Sequence, residues 1–256
     1  MKNIERNIHV IYRHTPASSE RVVNGPKKDR PDWFSYETCF RNLLQTVKFD
    51  PLNEKVKILI LFDGSADEFI KDFSAGYYAN ELLGLDLQLI SGGSNAVSFL
   101  IALDLIRKST IADHDLIYFM ENDYIHQHGW VSKLLELYRS MHTFDFVSLY
   151  DHRDKYIHEM YPDLPSHLIF SETHHWRTTP STCGTFVLEK VAILRDYDVW
   201  TSNLRDAILF PKLIRERGRV LLTPVPGLAT HCMINYISPT IDWEHLVNQA
   251  NQPGRQ

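Results

Sequence analysis

The sequence predicts a mixed α/β fold: a mostly parallel, twisted sheet flanked by helices. Short apolar runs recur at 8–13 ("IHVIYR"), 56–62 ("VKILILF"), 85–90 ("LDLQLI") and 115–120 ("DLIYFM"). Stretches with the apolar spacing of amphipathic helices separate them. The runs are largely continuous, as expected of strands covered by helices on both faces.

In chain order, 8–13 is a first strand. A polar, Pro-rich loop follows, and "SYETCFRNLLQTVK" at 35–48 is a helix with Ser35 as its N-cap. The run 56–62 is a second strand ending on Asp63-Gly64, and residues 66–73 make a helical turn or two. The third strand, 85–90, leads through Gly92-Gly93 into a helix at 95–109, capped by Ser94 or Asn95. The fourth strand, 115–120, runs into Glu121-Asn122-Asp123. Beyond it, "HGWVSKLLELYRSM" is a helix and "FDFVSLY" a strand. Residues 151–182 are polar and aromatic without a period. "TFVLEKVAILRDY" reads as strand then helix, "NLRDAILFPKLIRERG" as a helix closed by Gly218, and "RVLLTPV" as a last strand. A single domain is expected over 1–236, with a nucleotide-binding half at 1–124, an acceptor-binding half at 125–236, and a polar tail at 237–256.

The chain has 256 residues and a formal net charge of −5. That balance does not suit a nucleic-acid binder, which usually carries a basic excess. The three cysteines are widely spaced, so no disulfide framework or zinc ribbon is expected, and the reading is cytoplasmic. The N-terminal residues do not read as a signal peptide, and no run approaches a membrane span; peripheral membrane contact stays open.

Ligands of open parallel sheets bind beyond the carboxyl ends of the strands. Strand one ends in Arg13-His14-Thr15, strand two in Asp63 and strand four in Glu121-Asn122-Asp123, so all three groups are expected on one rim. In an extended chain Glu121 and Asp123 point to the same side. They either hold a divalent cation, Mn²⁺ or Mg²⁺, against a diphosphate, or end the strand and start a turn. Gly92 and Gly93 permit a tight turn and close ligand approach, and Asn95 either binds ligand or caps the helix. Trp176, with Arg177, Thr182 and Gly184 nearby, offers an aromatic plane and donors suited to a sugar acceptor, unless Trp176 is core. His126, His128, His174 and His175 are read as surface or acceptor-side residues, because no zinc-site spacing accompanies them. Residues 16–32 and 151–180 are candidate loops closing on substrate.

The segment "DLIYFMENDYIHQHGWVSKLLELYR" resembles the centre of nucleotide-sugar-dependent glycosyltransferases of the GT-A fold, family 2-like, in which an apolar strand ends in a D-x-D motif. Here the motif is Glu121-Asn122-Asp123, with Glu in the first place. "ILILFDGS", "SGGSNAVSFLIALDL", "NLRDAILFPKLIRERGRVLL" and "VPGLATH" are similar to further segments of that family, in its order. The resemblance covers about residues 8–235. It implies a transferase using a nucleoside-diphosphate sugar, UDP by preference, and a glycan or lipid-linked acceptor. It further implies that Asp63 meets the nucleotide base, that Arg13, Thr15, Gly93, Asn95 and Asn122 line the donor pocket, and that His231 joins Glu121 and Asp123 on the metal. The family's x-D motif falls on Asp206, at a helix start where the dipole favours the charged carboxylate. Asp206 is the candidate general base, with Glu189 as alternate; one base opposite the leaving group predicts inversion. The competing expectations are a nucleotidyltransferase, whose Gly-rich phosphate loop is not found after strand one, and a non-catalytic nucleotide- or carbohydrate-binding protein.

Overall fold

The structure, a computed structural model, describes residues 5–16, 28–140, 142–157, 159–202 and 205–250, without the side chains of Asp206, Ala207, Gln249 and Ala250. Residues 17–27, within one expected closing loop, lie outside it.

The centre is β1 (Ile8–His14), hydrogen-bonded in parallel to β2 (Val56–Asp63) on one side and β4 (Leu116–Glu121) on the other. The strand β3 (Leu85–Ile90) continues beyond β2. Side-chain alternation divides these strands between two cores. Ile8, Val10, Tyr12, Ile58, Ile60, Phe62, Tyr118 and Met120 face one core. That core is covered by α1 (Tyr36–Lys48), with Phe40, Leu43 and Val47, and by a later helix, Trp130–Arg139. Ile11, Leu61, Ile117 and Phe119 face the other, under the helix Asn95–Lys108 with Phe99, Ala102, Leu103 and Ile106. A slip of one residue in β1 would exchange the two faces and with them the positions of Arg13 and His14.

The helix starts follow local chemistry. Ser35 accepts from the Thr38 amide to cap α1. Ser65 and Glu68 form a reciprocal capping box at α2 (Ala66–Lys71), and Asp72 caps α3 (Phe73–Tyr78). Ser94, rather than Asn95, caps α4 (Asn95–Lys108) by accepting from the Val97 amide. That leaves the Asn95 side chain for the site.

Beyond Glu121 the sheet departs from the all-parallel expectation. Asn122 and Asp123 turn the chain into β5 (Tyr124–His126), followed by α5 (Trp130–Arg139) and the two-residue β6 (Phe146–Val147). The segment 151–182, expected without regular structure, contains β7 (Leu168–Phe170) and β8 (His175–Thr178). Then come β9 (Phe186–Glu189), α6 (Lys190–Arg195), α7 (Tyr197–Ser202), α8 (Asp206–Arg217), β10 (Leu221–Val225), β11 (Ala229–His231) and α9 (Trp243–Ala250). β9 inserts antiparallel between β4 and β6, giving a nine-stranded sheet of order β3-β2-β1-β4-β9-β6-β10-β8-β7. β5 and β11 form a separate antiparallel pair. The expected polar tail instead packs Trp243 and Val247 of α9 against Cys39 of α1, Ile125 and Cys232.

His126 and His174, read from sequence as surface or acceptor-side residues, are buried. His126 sits between α1 and α5 with its Nε2 2.7 Å from the Tyr118 hydroxyl, and burial lowers its pKa to about 3. The folded state therefore keeps this imidazole neutral where the unfolded chain, titrating near 6.5, takes up a proton. Its contribution to stability is complete above pH about 6.5 and declines by up to about 1.4 kcal/mol per unit as pH falls towards 3. His152, held well below its ordinary value by burial and then by Lys155, His231 and Arg177, acts in the same direction. Urea unfolding is expected to show a lower midpoint at pH 5 than at pH 7, with a shallower pH slope in His126→Phe. An unchanged slope in that variant would reject the assignment.

Candidate active site

Because β1, β2 and β4 are parallel and paired in register, their carboxyl ends open on one rim, with Arg13 opposite Glu121 and His14 opposite Phe62. Parity then decides which side chains meet. Arg13, Asp63 and Glu121 continue the face that packs on α4; His14 continues the face that packs on α1 and α3.

On the α4 side, the Asp63 carboxylate organises the turn between β3 and α4. Its Oδ1 accepts from the Gly92 amide at 2.8 Å and the Gly93 amide at 3.4 Å, and its Oδ2 accepts from the Ser98 hydroxyl. Gly93 has φ +72°, the left-handed region that glycine adopts without steric cost. At Gly92 the requirement is space: a Cβ there would lie 2.6 Å from Asp63 Oδ2 and 3.0 Å from the Ser98 amide nitrogen.

Next to this turn, Arg13 is buried among four groups. It donates to Asn95 Oδ1 at 2.6 Å and to the Gly184 carbonyl at 3.1 Å, pairs with Glu121 Oε1 at 3.4 Å, and lies over the Phe99 ring. Asn95 also donates to Glu121 Oε1 at 3.0 Å, so one amide bridges the arginine and the carboxylate. Gly184 fits because a Cβ would come 2.9 Å from Arg13 Nη2 and 3.2 Å from Glu121 Oε1. Thr15, half-buried, follows this cluster.

On the other side, His14 Nδ1 lies 2.9 Å from Asn122 Nδ2, and its Nε2 lies 3.0 Å from Asp72 Oδ1. The amide must donate, so Nδ1 accepts and Nε2 carries the proton that Asp72 receives. Burial would raise the Asp72 pKa; the hydrogen bond from His14, with the Ser74 donors, more than offsets it and leaves it lowered.

Asp123 departs from the expectation that it shares a side with Glu121. The strand ends at Glu121, so alternation stops there, and the turn carries Asp123 to a different set of partners. It is 2 % exposed. Its Oδ2 accepts from Arg30 Nη2 at 2.7 Å and Lys28 Nζ at 2.9 Å, and lies 3.0 Å from His231 Nε2; its Oδ1 is buried without a hydrogen-bond partner. Burial alone would raise the Asp123 pKa, but His231, Lys28 and Arg30 outweigh it and hold the carboxyl well below the ordinary range. β11 pairs with β5 so that His231 faces Tyr124, and the two rings stack at 5.0 Å. The order of residues along the chain thus brings together Asp123 and His231, 108 positions apart.

Of the acceptor candidates, Trp176 is corrected to core. It is fully buried, donates its indole N–H to the Ser171 hydroxyl, and offers no ring face to a sugar. Arg177 pairs with Asp151 at 2.8 Å and lies over the Tyr156 ring, while Thr182 bonds the Ser148 hydroxyl at 2.7 Å and lies 3.2 Å from His152 Nε2. Asp151 has its pKa raised, first by burial, against the lowering effect of Tyr156 and Arg177. Glu189 is also corrected: it pairs with Arg6 and with His114 and stands opposite Leu116, at the amino end of β4, away from the rim. Asp206 opens α8, and its side chain lies outside the described residues.

Residue reading missed Lys28 and Arg30, although "KKDRPD" in the loop after strand one is a basic cluster close to the rim in sequence. It also missed the His14–Asp72 pair, which only the packing of α3 against β1 creates.

The topology is that of a GT-A-like fold. Among solved structures, the chain is similar to the crystal structure of GalNAc-T7 with UDP, GalNAc and Mn²⁺, at 10% identity and TM-score 0.56, over 92% of this chain and 46% of that one. The chain therefore spans about half the length of that neighbour. It also aligns with a cytidylyltransferase from Leptospira borgpetersenii serovar Hardjo-bovis (strain JB197), at 14% identity and TM-score 0.48 over 95% and 86% of the two chains. A third match is the apo form of mouse xyloside xylosyltransferase 1, at 11% and 0.46 over 84% of each chain. The comparison of folds rests on the first. No protein-family model and no curated protein matches the sequence. Among the described residues, no helix is long and apolar enough to cross a membrane.

Proposed function

We propose that the chain is a glycosyltransferase that moves a sugar from a nucleoside-diphosphate sugar, UDP by preference, to a hydroxyl of a glycan or lipid-linked acceptor. The observation that supports this most is the gathering of Arg13, Asp63, Glu121, Asp123 and His231 on one rim of a GT-A sheet, where such folds take their ligands. In this reading residues 1–124 hold the nucleotide and 125–236 the acceptor, in one catalytic domain in the cytoplasm. The wide spacing of the three cysteines agrees with that compartment.

The donor set at Asp123 fits a divalent cation. Asp123 Oδ1 is buried and unpartnered, and His231 Nε2 stands beside the same carboxylate. Among the described residues no three His, Cys, Asp or Glu side chains cluster as a metal cage. Mg²⁺ and Mn²⁺ take one or two protein ligands and complete their shell with water and phosphate oxygens. When bound, such a cation neutralises charge growing on a departing diphosphate. Glu121 acts less directly, by fixing Arg13 and Asn95 at the pocket wall. Asp63 holds the Gly92-Gly93 turn whose backbone faces the nucleotide, and Asn122 is oriented by His14. Thr15 lines the same pocket. Arg177, Thr182 and Gly184 belong to the acceptor side.

Asp206 takes the proton of the acceptor hydroxyl as it attacks. α8 runs from Asp206 to Arg217, is closed by Gly218, and leads into β10 at Leu221, so its start, with Asp206, lies a helix length back from the amino end of that strand. A single base implies inversion. The test is calorimetric titration with UDP, GDP and CDP sugars, with and without Mn²⁺, followed by assay of released nucleoside diphosphate. Binding with release supports the transferase. Binding without release identifies a non-catalytic binder, and no binding rejects the donor class. Asp206→Asn is expected to lower turnover by about 10²–10⁴-fold at unchanged donor affinity; full turnover in that variant would move the base elsewhere.

A further inference from the structure

Asp123 Oδ2 is occupied on two sides by cations from the segment after β1, and the two are held differently. Arg30 has three anchors: Asp123 at 2.7 Å, the Cys232 carbonyl at 2.7 Å, and the Phe34 ring 4.4 Å from its guanidinium carbon. Its side chain is 16 % exposed. Lys28 donates to Asp123 at 2.9 Å, has no second anchor of this kind among the described residues, and is 45 % exposed. Its ammonium can be rehydrated at small cost, whereas removing Arg30 would strip a carbonyl and a ring of their partner.

We infer that Lys28 is an exchangeable counter-ion of this site: it pairs with Asp123 while no divalent cation is bound, withdraws when that cation binds the carboxylate, and then binds the diphosphate of the donor. The inference rests on the proposed cation site and adds to it a second role for a residue that neither sequence motif nor fold assigns.

A divalent ion bound through Asp123 would sit within a few ångströms of the Lys28 ammonium, and like charges that close repel strongly away from bulk water. Withdrawing Lys28 strands no buried charge, because Arg30 stays on the carboxylate at 2.7 Å. Exchange relieves the repulsion, and the incoming cation supplies the charge that Lys28 withdraws. The released ammonium, on a flexible stem at a half-exposed rim position, is then next to the anion that the same cation attracts. Lys is suited to this, being a compact charge with three donors rather than a fixed fork. Arg30 stays in place and keeps the carboxylate oriented.

Exchange makes a prediction of opposite signs. Losing Lys28 should help the cation and harm the nucleotide, a pattern that a purely structural role does not produce. The test uses the full chain and its Lys28→Met and Lys28→Arg variants. Mn²⁺ binding is read without nucleotide from the electron paramagnetic resonance signal of the free ion, and UDP binding is read by calorimetry at saturating Mn²⁺. Lys28→Met is expected to bind Mn²⁺ about three- to tenfold more tightly and UDP weaker by a similar factor, with Lys28→Arg near wild type in both. Both affinities moving in the same direction, or neither moving while the wild type binds Mn²⁺, overturns the exchange and leaves the cation site standing. If the wild type binds UDP but no Mn²⁺, the exchange and the cation site both fall, and the nucleotide reading survives.

Discussion

Asp123→Ala is expected to give the largest combined loss of stability and donor binding of any single substitution at the rim. The wild-type carboxylate is 2 % exposed and meets Arg30, Lys28 and His231 on one oxygen. Removing it leaves the Arg30 guanidinium, itself largely buried, facing a void and the His231 ring. Breaking one side of such a buried pair typically costs about 3–5 kcal/mol. Lys28, nearly half exposed, adds little, because water replaces its partner. Chemical denaturation should show the lower midpoint, and nucleotide titration should lose its metal dependence. Asp123→Asn separates the two effects, since it keeps the volume and an acceptor oxygen but not the charge. A stable Asp123→Ala protein that binds donor with wild-type metal dependence would show that the cation sits elsewhere.

Gly92→Ala should be the most damaging change of one methyl group. Its Cβ would come within 2.6 Å of Asp63 Oδ2 and 3.0 Å of the Ser98 amide nitrogen. The amide belongs to α4 and cannot move alone, so the carboxylate must leave the Gly92 and Gly93 amides it now receives. Overpacking of this kind costs about 1–3 kcal/mol. Because the turn faces the proposed nucleotide pocket, UDP affinity should fall by at least about tenfold, which corresponds to about 1.4 kcal/mol. Gly93→Ala is the control. There a Cβ would meet nothing within 4 Å, and the cost is the left-handed backbone alone, about 1–2 kcal/mol. Calorimetry on the two variants distinguishes steric displacement of Asp63 from backbone strain. Equal UDP affinities in the two would remove Asp63 from nucleotide binding.

Much of the first half of the fold was legible because its signals are local. Short apolar runs and the caps at Ser35 and Ser94 set the order of β1 to β4 and their helices. The carboxyl-end rule likewise placed Arg13, Asp63 and Glu121 on the rim. Reading failed where partners are distant. β7 and β8 have no period, since their edge residues are partly exposed while Trp176 is buried by β10. Trp176 resembled a sugar platform only because a buried indole and an exposed one look the same in sequence. The alternation rule applied to Glu121 and Asp123 assumed a strand that continued, and the turn at Asn122 ended it.

Local signals were enough for the α/β class, the succession of the first four strands, and the carboxylates at their carboxyl ends, because hydrophobic periodicity and capping act over a few residues. What each carboxylate does there depends on packing between distant segments. That packing gave Glu121 to Arg13 and Asn95, Asp63 to a glycine turn, and Asp123 to Lys28, Arg30 and His231. The state of a buried charge is set by the partners packed around it, and those partners come from chain segments about 26 to 108 residues away.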